Sequence, residues 1–215
     1  PNAVDPEKFE ILRKNTSLNK QLNFEGKVVI GYIGSFVNYE GLDLLLEACS
    51  VLKKKLGDVF RVLLVGDGEM MQSLRRSAQF LQLESIITFT GRVSHDEVSD
   101  YYSLIDIAPL PRKGLRVCEL VSPLKPFEAM GAGKVLVTSS VQALAEIVQD
   151  GETGLIFEKD NSDDLAEKLE TVILDAKLRK RLGKNANAWV QETHSWEVIS
   201  KRVTDIYDKL MEENT

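Results

Sequence analysis

The chain has 215 residues, a formal net charge of −6, 43% hydrophobic residues and two cysteines, Cys49 and Cys118. This is room for one large α/β domain or two small ones with a real core, while the acidic balance weighs against nucleic acid as a main partner. Two cysteines make neither a disulfide framework nor a metal-ligand pattern, and no stretch reaches the roughly 18 apolar residues of a membrane span.

The chain opens on Pro1, without an initiator Met or a signal peptide, and reads as a piece of a longer protein. Its first 25 residues are polar and irregular, and Asn15-Thr-Ser-Leu-Asn-Lys20 reads as a loop. Lys27 to Ile33 is a continuous β-branched run, as buried parallel strands are, ending at Gly34-Ser35. A helix from about Leu42 to Leu56 carries Leu45, Leu46, Cys49 and Leu52 on one stripe, which makes Cys49 a core residue. Phe60 to Val65 is the next strand, closed by Gly66-Asp-Gly68; Glu69 to Leu81 is a helix. Ile86 to Thr90 is a strand closed by Gly91-Arg92, and Ser94-His-Asp-Glu97 is a capping box opening a helix to about Leu104. Asp106 to Leu110 and Val135 to Thr138 are strands flanking the run Glu119 to Lys134. A short helix from Ala143 to Val148, a turn at Asp150 to Gly154, a strand from Leu155 to Phe157 and three closing helices follow. Strand and helix alternate, so the fold class is α/β: a doubly wound, Rossmann-like parallel sheet.

Such sheets bind ligands at the carboxyl ends of their strands. Gly34 lets a backbone approach a ligand closely, and Ser35 has a hydroxyl to donate. The Gly66-Asp-Gly68 turn lacks the third glycine of a dinucleotide fingerprint, since Met71 stands in its place, which counts against a nicotinamide cofactor. His95 sits in the capping box without an acid or nucleophile nearby. Between Leu110 and Lys134 lie Arg112, Lys113 and Arg116, then Pro123 and Pro126 on either side of Lys125, and the carboxylates Glu119 and Glu128. Either proline suits a first helical turn, and Pro126 moves the helix start toward Lys125. A polar loop feeding a helix start suits phosphate, and a carboxylate beside it suits a hydroxyl or a cation.

Glu128-Ala-Met-Gly-Ala-Gly133 resembles the second half of the signature of retaining GT-B glycosyltransferases of the family 4, or group 1, type. In the first half Glu119 lies nine positions before Glu128, where the family pattern has eight. Gly151-Glu-Thr-Gly-Leu-Ile-Phe157 and Pro1-Asn-Ala-Val-Asp5 also resemble family stretches, the latter an interdomain linker. The resemblance covers nearly the whole chain as the C-terminal, donor-binding half of a GT-B fold. It implies an interdomain linker and leading arm over residues 1–25, a nucleotide-sugar donor domain over 26–190, and over 191–215 a helix that returns toward an N-terminal acceptor domain. That helix carries Trp196, Ile199, Val203, Ile206 and Leu210.

By the same resemblance the donor is a UDP- or GDP-linked sugar and no metal is obligatory. The resemblance also implies a saccharide or lipid-linked acceptor, and a location in the cytoplasm or peripheral at the inner membrane face. Glu128 corresponds to the acid that accepts from the ribose hydroxyls, Glu119 to the acid at the donor sugar. Val121, Ser122 and Leu124 correspond to backbone contacts, with Val121 and Ser122 offering N–H groups; Gly34, Ser35, Gly66, Arg92 and Val93 correspond to the nucleotide side. The family usually has an Arg and a Lys where this chain has Ser35 and Glu40, so Lys125 and Arg112 are expected to carry the charge on the leaving diphosphate. The alternative is a nucleotide-sugar binding module without catalysis, which those two replacements favour. This chain alone is expected to bind donor and transfer little.

Overall fold

The computed structural model describes residues 13–213; the Pro1-to-Asp5 linker motif lies outside them. In chain order the elements are α1 (Thr16–Gln21), β1 (Val28–Ile33), α2 (Leu42–Leu56), β2 (Phe60–Val65), α3 (Met71–Phe80), β3 (Ile87–Gly91), α4 (Val98–Leu104) and β4 (Ile107–Leu110). They continue as α5 (Arg116–Leu120), α6 (Lys125–Gly131), β5 (Val135–Ser139), α7 (Gln142–Ala145), β6 (Gly154–Phe157), α8 (Ser162–Leu174), α9 (Ala176–His194) and α10 (Trp196–Glu213).

The six strands form one parallel sheet in the order β3-β2-β1-β4-β5-β6. The order of strands reverses between β1 and β4, which makes their carboxyl ends the topological switch point. The four inner strands β1, β2, β4 and β5 are largely buried, with helices laid on both faces by right-handed crossovers, while the edge strand β3 is only partly buried. α2 packs on α3 and α8, and α6 packs on α9. The apolar stripe of α2 is fully buried through Leu45, Leu46, Cys49 and Leu52. Cys49 is thus the core residue its spacing implies, and burial pushes its thiol up to about 12.

Two short helices fall where the sequence reads as loop. At the first, Asn15 caps α1 by accepting from the Leu18 N–H at 3.0 Å, and its own N–H donates to Ser103 Oγ at 3.0 Å. Leu18 and Leu22 pack against the core, so tertiary contact makes a helix of a polar segment too short to signal by periodicity. The second is α5, inside the signature run, where Cys118 is buried and its thiol meets the Tyr39 carbonyl at 3.5 Å. α6 starts at Lys125 with Pro126 inside its first turn, the later of the two starts the prolines allowed. Ser94 and Glu97 do form the capping contact: the Ser94 N–H and Oγ donate to the Glu97 carboxylate at 3.0 and 2.6 Å.

α10 leaves an apolar stripe in the open. Ile199 is buried, while Trp196, Val203, Ile206, Tyr207, Leu210 and Met211 are each at least 41% exposed. Among the described residues, no helix is long and apolar enough to cross a membrane.

Candidate functional site at the carboxyl ends of β1 and β4

β1 and β2 run in register from Val28↔Phe60 to Ile33↔Val65, so Gly34 and Gly66 arrive together at the sheet edge. The Gly34 N–H donates to the Val65 carbonyl at 2.9 Å, the Phe36 N–H to Asp67 O at 2.9 Å, and the Gly66 N–H to Gly91 O at 2.9 Å. The loops after β1, β2 and β3 are thereby tied into one backbone shelf. Gly34 and Gly66 have φ of 149° and 134°. A Cβ on Gly66 would overlap the Gly34 carbonyl, and one on Gly34 would lie 2.5 Å from Lys125 Cε. Both positions therefore need glycine for closeness as much as for conformation.

The charged centre lies where this shelf meets the loop after β4. Glu40 is 2% exposed at the end of a 3-10 turn, Asn38–Glu40. Its Oε1 accepts from Arg112 Nη2 at 3.1 Å and pairs with Lys125 Nζ at 2.8 Å. Arg112, 7% exposed, also donates from Nη1 to the Val121 carbonyl at 2.9 Å, and its guanidinium stands 5.7 Å from the Tyr39 ring centre. Lys125 keeps 22% of its side chain exposed, and its ammonium lies 4.9 Å over the Tyr32 ring. Burial acts to raise the Glu40 carboxyl, but the two cations outweigh it and hold the group below the usual carboxylate range. Oε2 of Glu40 is buried with no hydrogen-bond partner among the described residues. Tyr32 is driven far above the normal phenol range, first by burial and then by the Glu40 charge, so it stays neutral; its hydroxyl donates to the Ser35 carbonyl at 3.1 Å.

Two cations against one carboxylate leave a net positive centre, with Lys125 as the member solvent can reach. Lys113, by contrast, is engaged at the rim, pairing with Asp43 at 2.7 Å and donating to Asn38 Oδ1 at 2.9 Å.

Of the residues singled out in the sequence, Gly34, Ser35, Gly66, Arg112, Val121 and Lys125 come together around this centre. Glu128 is one turn along α6 from Lys125, where its Oε2 accepts from the Tyr102 hydroxyl at 3.3 Å. Arg92 and Val93 follow β3, the edge strand, and join the shelf only through Gly91. Ser122 and Leu124 are exposed beside the start of α6, and His95 is exposed on its turn.

The Val121 N–H is engaged within the chain, donating to the Val117 carbonyl at 3.0 Å as α5 ends, and the Val121 carbonyl accepts from Arg112. Glu119 is on α5 and turned toward α7. Its Oε2 accepts from the Gln142 N–H at 2.7 Å and its Oε1 meets Lys159 Nζ at 2.6 Å, and these bonds hold its carboxyl below the usual range. The residue that sequence reasoning undervalues is Glu40, which stands there only as a lost lysine. Among the described residues, no group of three or more His, Cys, Asp or Glu is placed to hold a metal ion.

Comparison with known proteins places the chain in a family and its fold among solved structures. The family model described as glycosyl transferases group 1 matches residues 13–189. An uncharacterized glycosyltransferase of Methanocaldococcus jannaschii, MJ1178, is 30% identical over 90% of this chain and 52% of its own length. The capsular polysaccharide biosynthesis glycosyltransferase CapM of Staphylococcus aureus is 27% identical over 99% of this chain and 54% of its own. The chain thus spans about half the length of these curated relatives. Among solved structures, the C-terminal domain of the group 1 family protein LpcC from Francisella tularensis superposes with a TM-score of 0.77 at 23% identity, covering 90% of this chain and 99% of that one. The Anabaena protein HepE, in complex with UDP and glucose, superposes at 0.82 with 19% identity, over 96% of this chain and 55% of that one. The fold is therefore that of the C-terminal domains of GT-B glycosyltransferases, and the chain belongs to the group 1 glycosyltransferase family.

Proposed function

We propose that the chain is the donor-binding domain of a retaining hexosyltransferase. The bound ligand is a nucleoside diphosphate sugar, linked to UDP or GDP, at the carboxyl ends of β1 and β4. The observation that carries this reading is Lys125, held over the Gly34 backbone by a buried Glu40 at the switch point of the sheet. Glycine shelves admit a diphosphate closely, and a fixed ammonium beside them stabilises the charge that develops as the sugar–phosphate bond breaks. Lys125 is the cation that faces the diphosphate. Arg112, tied to Glu40 and to the Val121 carbonyl, positions it. Glu128 has the acceptor capacity for a ribose diol, since a carboxylate takes two donors at once.

In this reading residues 1–25 link to an acceptor domain, residues 26–190 bind the donor, and residues 191–215 return along that domain. The exposed stripe of α10 suits such a return, with a saccharide or lipid-linked acceptor held by the other domain. The whole protein works in the cytoplasm, at the inner face of the membrane where its acceptor is lipid-linked. Glu119 contacts the donor sugar only if its bonds to Gln142 and Lys159 are released. No metal is required, because Lys125 supplies the positive charge.

Titration of this chain with UDP, GDP and UDP-glucose tests the proposal. One nucleotide should bind saturably, with its affinity lowered about 10- to 100-fold in Lys125→Ala and also lowered in Glu128→Ala. Binding that ignores both substitutions would overturn it. Glu40 favours a second reading, a binding module without catalysis, because it offsets half of the local positive charge. Sugar transfer or donor hydrolysis by the full-length protein decides between the two.

A further inference from the structure

The opposite end of the sheet holds an unused cation. Lys134 immediately precedes β5, at the amino-terminal ends of the strands, and is 8% exposed. Its side chain makes no hydrogen bond or ion pair among the described residues. It lines a cavity of about 240 Å³ together with Asp106, Gly133, Ala176, Arg179 and Lys180. We propose that this cavity is an anion site that takes a phosphate group, with Lys134 as its buried cation.

Two features converge there. Arg179 is locked in place, because its Nη1 donates to the Val172 and Ile173 carbonyls at 2.6 and 2.7 Å. This leaves Nε and Nη2 as donors. Ala176 opens α9 beside the cavity, but the Asp175 carboxylate already accepts from the Lys177 and Leu178 N–H groups at 2.9 Å each, so side chains and not the helix end carry the positive charge. Charge is unbalanced: three lining cations stand against the single carboxylate of Asp106, whose Oδ2 already accepts from the Val29 N–H at 2.8 Å. Burial holds the Lys134 ammonium down at about 8, with Asp106 opposing the shift and Lys14 adding to it. A dianion entering the cavity offsets that desolvation, raises the lysine back toward its ordinary range and supplies its missing partner. At about 240 Å³ the cavity lies below the roughly 300 to 1,000 Å³ of pockets for drug-sized ligands, and it has room for a phosphate group.

The test is calorimetry on this chain with inorganic phosphate and with glucose 1-phosphate, run on the parent and on Lys134→Met and Lys125→Ala. Saturable binding is expected in the parent, retained in Lys125→Ala and weakened about tenfold or more in Lys134→Met. At pH 8 the binding heat should shift with the ionisation enthalpy of the buffer, reporting proton uptake by Lys134. Binding of both ligands assigns recognition to the phosphate group itself, and binding of the ester alone assigns it to a sugar phosphate. No saturable binding overturns the proposal. So does binding that persists in Lys134→Met, or that disappears only in Lys125→Ala, because the heat then belongs to the surface or to the donor site.

Discussion

The two ends of one sheet treat a buried cation in opposite ways. Arg112, at the carboxyl ends, is 7% exposed and shares Glu40 with Lys125; Lys134, at the amino ends, is 8% exposed and has no ion pair among the described residues. Depth of burial is the same, but a guanidinium does not shed its proton whereas an ammonium can, and of the two only Arg112 has a carboxylate in contact among the described residues. A carboxylate built into the fold fixes its cations before any ligand arrives, which is what transition-state stabilisation requires. Without one, desolvation lowers the ammonium's pKa instead, and Lys134 falls to about 8. One end is preorganised for charge, and the other is charged at a cost to the fold.

Removing the shared carboxylate breaks the first arrangement and has the largest effect. Glu40→Ala leaves Arg112 buried and unpaired, and a broken buried pair costs about 3–5 kcal/mol. Urea denaturation should show a lower midpoint with an unchanged slope. Pairing Glu40→Leu with Arg112→Met should recover most of the loss, since it removes the stranded charge. A double variant no more stable than Glu40→Ala would mean that the pair is not what the site rests on. The Glu40 pKa is depressed, so its contribution is present above the unfolded carboxylate pKa and is lost as pH falls through the folded one. Glu40→Ala should therefore narrow its deficit in acid.

At the other end the sign reverses. The folded pKa of Lys134 lies below its unfolded value, so the unfolded chain binds the extra proton between about pH 8 and pH 10.5, and stability from this group rises with pH across that window. Below it the charged lysine costs about 3 kcal/mol at most, because each tenfold loss of proton affinity on folding is worth about 1.4 kcal/mol. Lys134→Met should stabilise the chain at pH 7 by about 1–3 kcal/mol, and the gain should shrink toward pH 10. A loss of stability at pH 7 would show that Asp106 already compensates the ammonium.

How much of this is legible in the sequence differs between the same two regions. The strands are, because parallel strands buried on both faces are continuous apolar runs, and the register that brings Gly34 beside Gly66 follows from where those runs stop. Lys125 and Arg112 stand out there as the compensating cations. Their joint partner does not, since Glu40 precedes them by more than seventy residues and only the fold brings them to 2.8 and 3.1 Å. α1 and α5 escape a reading by pattern because helices of six and five residues carry too few turns to show a period. Lys134 is, in the sequence, only the last residue of the signature run; nothing local marks a lysine that the fold leaves 8% exposed.

Glu119 offers the smallest effect and the sharpest use of the comparison. It too is a carboxylate paired with a lysine, but in water: its side chain is 25% exposed and Lys159 is 43% exposed. Exposed pairs are screened and contribute little, so nothing like the Glu40 penalty is expected. Glu119→Gln keeps an oxygen for the Gln142 N–H that opens α7 and loses only the charge toward Lys159. Its denaturation midpoint should match the parent, and nucleotide binding should be unchanged, because the proposed donor site sets the nucleotide toward Lys125 and Glu128. Binding of UDP-glucose then carries the decision. If the substitution weakens UDP-glucose and leaves UDP untouched, Glu119 turns from α7 to meet the sugar. If both ligands bind as before, its carboxylate is an architectural tie between α5 and α7, and the only buried carboxylate of the charged centre is Glu40.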